Sequence, residues 1–335
     1  MFLVAMVCAT VSLAQSSMMA TLIHQDKIST FYGTGALTAA YNAAVNGDVI
    51  TLSSGTFVAT NINKAIVLRG AGMGIDTVQV VEPTVITGDF EIDIADTVSG
   101  KLTIEGIYSN HTIRYKNLCN PYFLKCRLKE IVYRFTDSRL KDANFIHCRV
   151  TDGLTLNYES SALCINSVIQ GAYSENSETS NFEFVNCVLI GHGAAYDIQN
   201  IRFSSFKNCL LTSRSGLQRS NIDGSCTAYN CIGFGNSEVF KKISNSTNHF
   251  VGSYADVFKT YRGASLENLD NECFELTDAA KAKYLGMDGK EVGIHGGSLP
   301  FDAVPSNPQI TKCNVAAKST ADGKLSVDIQ VSAVQ

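Results

Sequence analysis

The sequence predicts an all-β chain wound as a single-stranded parallel β-helix of roughly ten coils, with an N-terminal helical cap and a C-terminal β extension. Two observations predict it. Near-identical segments recur about every 21 residues, and short β-prone runs are broken by clusters of Gly, Ser, Asn and Asp. "FVNCVLI" (184–190), "FKNCLLT" (206–212) and "AYNCIGF" (228–234) show the repeat most plainly.

Aligned on the cysteine, the repeat runs through Cys126, Cys148, Ser167, Cys187, Cys209 and Cys231, at intervals of 22, 19, 20, 22 and 22 residues. Three residues earlier stand Phe123, Phe145, Cys164, Phe184, Phe206 and Ala228. Directly before the register position, Asn recurs as Asn166, Asn186, Asn208 and Asn230. Helical repeats are longer and need apolar residues at i, i+3 and i+4, and the L-x-x-L-x-L frame of leucine-rich repeats is absent. Each unit therefore reads as one coil of three short strands and three turns. Coils stack about 4.8 Å apart. Cys and Ser then form an internal column, Phe forms a second, and the Asn side chains ladder at a turn. The chain has 11 cysteines. A column in register orients neighbours poorly for disulfides, so these cysteines are expected as free, buried thiols acting as small hydrophobes.

The ends divide the chain further. Residues 1–14 read as a signal peptide, a short apolar run closing on the small-x-small pattern Ser12-Leu13-Ala14. The chain is therefore expected to be exported: secreted, periplasmic or on the cell surface. Residues 15–47 read as an N-terminal strand and a capping helix, with Thr34 as its N-cap and Leu37, Tyr41 and Val45 as its apolar face. The β-helix is expected over 48–260. Residues 261–335 form a C-terminal cap and a hairpin tail about Asp322-Gly323.

Charge and composition exclude several classes. The net charge is −4, with no basic tail, so no nucleic-acid partner is expected. No segment after the leader reaches transmembrane length. The cysteines and six histidines never fall at metal spacing, and no cofactor or metal site is expected. Gly70-x-Gly72-x-Gly74 lacks the strand-to-helix setting of a phosphate loop and reads as a coil turn.

The segments "GDVITLSSGTF" and "INKAIVLRGAGMG", with the residue columns, resemble the right-handed parallel β-helix, or pectate-lyase-like, superfamily. With the leader and "DGKEVGIHGG", the whole chain resembles exported β-helix proteins of Bacteroides-type bacteria. The resemblance implies right-handed winding and a set of functions spanning polysaccharide lyases, glycoside hydrolases and adhesins. The acidic calcium clusters of pectate lyases and the Asn/Glu/Glu set of alginate-lyase-like members have no counterpart in this sequence. Calcium is therefore expected only if the chain is a lyase.

One region carries an unusual charge. Residues 111–150 hold nine basic side chains (Arg114, Lys116, Lys125, Arg127, Lys129, Arg134, Arg139, Lys141, Arg149) and three acids (Glu130, Asp137, Asp142), a balance of 9 − 3 = +6. Arg127 and Arg149 should stack on neighbouring coils, where an anion between them relieves their repulsion. Lys125, Lys129, His147 and Tyr133 fall in the same coils, and the last two suit a base and an acid. Two readings stay open: a groove for an acidic polysaccharide, and a solvated face paired with Asp137, Asp142, Asp152 or Glu159, the commoner outcome for such clusters. The function expected first is non-catalytic binding of extracellular or cell-surface acidic polysaccharide. A uronate-cleaving lyase is the alternative, and a structural or adhesive surface protein the third.

Overall fold

The computed structural model describes residues 18–332, apart from 75–81, 177, 192–197, 213–221, 223, 235–246, 262–271, 317 and 321. The expected signal peptide lies outside the described residues. The chain forms a parallel β-solenoid. None of its described helices is long and apolar enough to cross a membrane.

The local event that makes a coil is a corner built on one left-handed residue. Gly106, Lys125, His147, Asn166, Asn186, Asn208 and Asn230 all have φ between 43° and 64°. That region costs most L-residues about 1–2 kcal/mol, least for Asn, whose short polar side chain bonds locally. The recurrent Asn of the Asn-Cys pairs is therefore the corner residue. The residue after it turns inward, and Cys126, Cys148, Ser167, Cys187, Cys209 and Cys231 are all 0% exposed.

Polar atoms hold this inner column together. The N–H of Cys148 donates to Ser167 Oγ at 3.0 Å, and those of Cys187 and Cys209 donate to the thiols of Cys209 and Cys231 at 3.4 Å. Toward the preceding coil, Cys148 Sγ donates to the Phe123 carbonyl at 3.1 Å, and Cys187 Sγ to the Cys164 carbonyl at 3.2 Å. The position thus needs a side chain small enough for the interior that both donates and accepts, which is Cys or Ser. The nine cysteines whose side chains are described are free. Burial pushes the thiols of Cys126, Cys209 and Cys231 well above the ordinary range, so they stay protonated and unreactive.

On either side of the corner, two sheets of 11 and 12 strands run the length of the stack. In the first, Phe123 and Phe145 stack at 4.8 Å, and Phe184 and Phe206 at 5.2 Å, with Cys164 filling the rung between the two pairs. The solenoid has about seven regular turns rather than roughly ten. The left-handed corner recurs only from Gly106 to Asn230. Before it, the chain crosses from Val49–Leu52 to Gly55–Val58 through residues 53–54.

The N-terminal cap differs in detail from expectation. An antiparallel hairpin, Met19–His24 with Lys27–Tyr32, pairs with the first coil strand, Val49–Leu52. Helix α1 (Ala36–Ala43) then covers the first coil with Leu37 and Tyr41 buried. Thr34 is not its N-cap: Gly35 holds that position, without a side-chain bond. Val45 is 50% exposed because the helix stops short of it, its last carbonyls, Tyr41 and Ala44, taking Lys64 Nζ at 2.8 and 2.9 Å.

At the far end, residues 272–307 fold back over the stack. Helix α2 (Asp278–Lys283), capped by Thr277, closes a second core over the outside of the second sheet. There Val168, Val188, Leu210 and Ile232 meet Phe258, Phe274, Leu276, Tyr284 and Ile294.

The following residues, 285–307, run as a strap along the corners, from the last coil toward the first. Asn230 Nδ2 donates to the Leu285 carbonyl at 2.8 Å, and Asn208 Oδ1 accepts from Met287 N–H at 3.0 Å. Asn166 Nδ2 donates to the carbonyls of Ile294 and Gly296 at 2.8 and 2.9 Å. Farther along, Ser306 donates twice to Glu105 at 2.7 Å, and Asn307 Nδ2 reaches the Gly70 carbonyl at 3.0 Å. The chain closes with the hairpin expected about Asp322-Gly323, Gln309–Val315 with Val327–Ser332.

Two substitutions test the corner and the strap separately. Asn208→Ala removes the bonds to Asn186 and Met287 and is expected to cost about 2–4 kcal/mol in denaturant unfolding. Asn208→Gly should recover about 1 kcal/mol of that, because it relieves only the backbone. Gly297 has φ +77°, and a Cβ there would lie 2.1 Å from Asn186 Nδ2. Gly297→Ala is expected to lift the strap, read as new cleavage within 285–307 on limited proteolysis.

Candidate functional site

The nine basic side chains of 111–150 do not form one patch, because the corner sorts them. Lys125 and His147 are themselves corner residues and lie beneath the strap. Lys125 Nζ binds Asp302 at 2.6 Å and donates to the Val304 carbonyl. Burial opposes ionisation of Asp302, yet the bonds from Lys125 and Val304 N–H hold its pKa below the ordinary value. His147 is 7% exposed, and its Nε2 donates to the Leu299 carbonyl at 3.0 Å. Burial is the main influence on its ring and lowers its pKa, keeping it neutral.

Arg127 and Arg149 stand in direct register on neighbouring rungs of the second sheet, as their spacing predicts. They diverge in contacts. Arg127 is intermediate in burial, with its Nε buried, and its guanidinium lies 4.5 Å over the ring of Tyr108. Arg149 is 2% exposed, donates from Nη2 to the Glu272 carbonyl at 2.6 Å and faces Phe274 at 5.7 Å.

Most of the remainder is paired with acids of adjacent coils. Arg114 binds Asp89 at 2.8 Å, Lys116 binds Asp93 at 2.9 Å, and Arg134 binds Glu91 at 3.1 Å. Arg139 binds Glu159 at 3.3 Å, and Lys129 lies 4.0 Å from Asp152. Six of the nine thus have a carboxylate from outside the 111–150 window. Asp142, another expected partner, accepts instead from Ser161 Oγ at 3.0 Å. Tyr133 is half-buried, and burial together with the Glu175 charge raises its phenol pKa.

The geometry brings together Tyr108, Arg127, Lys129, Thr112, Glu130 and Arg114 on the outer face of the second sheet, at the strands Ile107–Tyr115 and Arg127–Tyr133. Thr112 Oγ1 donates to Glu130 at 2.8 Å. The same outer column continues from Arg149 into Val168, Val188, Leu210 and Ile232, which the second core covers. The sheet therefore presents a shelf that ends at a wall formed by Glu272 and Phe274.

Sequence reasoning missed His111, which stands at the shelf edge. Its Nδ1 lies 3.6 Å from Asp89, and its Nε2 lies 3.3 Å from Thr87 Oγ1. The bond from Arg114 holds the Asp89 carboxyl below its usual pKa. Only the pairing of rungs brings residues 87, 89 and 111 together. Among the described residues, no group of three His, Cys, Asp or Glu is placed to hold a metal ion. No family model matches the chain, and no curated protein or solved structure matches it either.

Arg149→Ala is expected to cost about 2–4 kcal/mol, since it strips a buried donor from the Glu272 carbonyl and leaves a gap beside Phe274. Arg127→Ala should cost less, about 1 kcal/mol, as a less deeply buried cation stacked on Tyr108. Denaturant unfolding of both variants checks the contrast, and makes Arg127 the one to alter in ligand tests.

Proposed function

We propose that the chain, once exported, binds an extended acidic polysaccharide without catalysis, along the shelf of the second sheet. The observation that supports this is the shelf itself: a polar, partly exposed face on two strands that ends at Glu272 and Phe274. Arg127, spread over Tyr108, offers a planar donor set backed by an aromatic ring, suited to a carboxylate on a sugar. Lys129, exposed beside it, adds a second cation. Because most cations on this face already have carboxylate neighbours, recognition rests on hydrogen bonding more than on net field.

A lyase acting by β-elimination on a uronate glycan is a second reading, favoured by one observation. His111 is a half-exposed imidazole beside Arg114 and Asp89, a base next to a charge neutraliser. His147, beneath the strap, is less suited to that role.

Titration calorimetry of the purified protein with polygalacturonate, alginate and a neutral glucan tests the binding. Binding to the acidic polymers alone is expected, weakened about tenfold, or about 1.4 kcal/mol, by Arg127→Ala with Lys129→Ala. No binding to any acidic polymer would overturn the proposal. Rising ultraviolet absorbance from unsaturated uronate, abolished by His111→Ala, would replace it with the lyase reading.

A further inference from the structure

The strap rests on amides at Asn166, Asn208 and Asn230, which do not titrate, and Gly297 abuts the Asn186 amide. Toward the first coils charged groups hold it instead, Lys125 on Asp302 and Glu105 on Ser306, and between these and the amides stands one imidazole. His147 occupies the corner between Lys125 and Asn166, with φ 54° like its neighbours. Its Nε2 carries the proton shared with the Leu299 carbonyl. Its Nδ1 is buried and makes no hydrogen bond. The ring of Phe301, also from the strap, lies 6.0 Å away.

The groups facing the imidazole are few. The preceding corner brings the Lys125 ammonium, and the following one the uncharged Asn166. The strap brings the Leu299 and Asp302 carbonyls and the Asp302 carboxylate. Among the described residues that carboxylate is the one opposing charge beside the ring, and it is already held by Lys125 Nζ at 2.6 Å and Val304 N–H at 2.9 Å. A proton added at Nδ1 places a second positive charge beside Lys125, on a ring that is 7% exposed.

We propose that His147 is a proton-operated release point for the strap, freeing residues 297–307 in mildly acid solution while the amide rungs keep 285–296 docked. The sign follows from linkage. Burial lowers the docked ring's pKa below the ordinary 6.5, so the released state binds the proton more tightly. The docking contribution is complete above 6.5 and is lost as pH falls from there toward the docked value. The Asn rungs from 166 onward supply the control, because Asn suits a left-handed corner and does not titrate.

Hydrogen exchange read by mass spectrometry, corrected for intrinsic rates, compares peptides 297–307 and 285–296 at about pH 7.5 and about pH 5. In the natural chain, protection of 297–307 is expected to fall about tenfold or more at the lower pH, with 285–296 unchanged. His147→Asn should keep protection at both pH values, and His147→Gln, which retains a donor for Leu299, serves if the Asn variant folds poorly. Three results would overturn the proposal: no loss in the natural chain, an equal loss in the variants, or a loss spread evenly across both peptides.

Discussion

One left-handed corner, recurring in register from Gly106 to Asn230, organises this molecule. The left-handed corner turns the chain between its two sheets, points the next side chain into the interior, and leaves its own side chain outside. A single position therefore has two neighbours of opposite character. Asn suits it because the amide tolerates the backbone and bonds what lies outside. Cys or Ser follows because the interior there needs a small donor and acceptor at once. The Asn-Cys pair is the written form of that geometry, and the strap is bound by the same amides that make the turn.

Stacking also changes what counts as a neighbour. Arg114 and its partner Asp89 are 25 residues apart, and Lys125 and Asp302 are 177 apart. A window of forty residues samples two coils and misses the coils above and below, which carry the compensating acids. The +6 balance is real along the chain and largely cancelled in space. What remains on the second sheet is a lattice of alternating charge, weak as a field and specific as a pattern of donors and acceptors.

The architecture was legible because interior positions obey the period: Cys, Phe and Asn columns, and the Asp322-Gly323 hairpin. The outside was not, since no repeat constrains it. His111 meets Asp89 and Thr87 only through rung pairing. The strap escaped notice because the stack grips it mainly through backbone carbonyls, which carry no residue pattern. Its trace in the sequence was the glycines at 286, 289, 293, 296 and 297, where a Cβ at 293 would strike Leu210 at 2.2 Å. The first helix ended early for a similar reason, its final carbonyls answered by Lys64, a residue from the next coil.

A solenoid is ordinarily a one-dimensional object whose coils know only their neighbours and whose ends fray independently. The strap alters that topology. It leaves the last coil at Leu285 and is tied at Asn307 to Gly70, 237 residues earlier, so the two ends of the stack are joined by one segment. During synthesis that segment emerges after every coil it touches. The strap thus works as a seal along the stack, and a chain truncated before residue 285 would lose both that tie and the Val292 and Ile294 side chains of the second core.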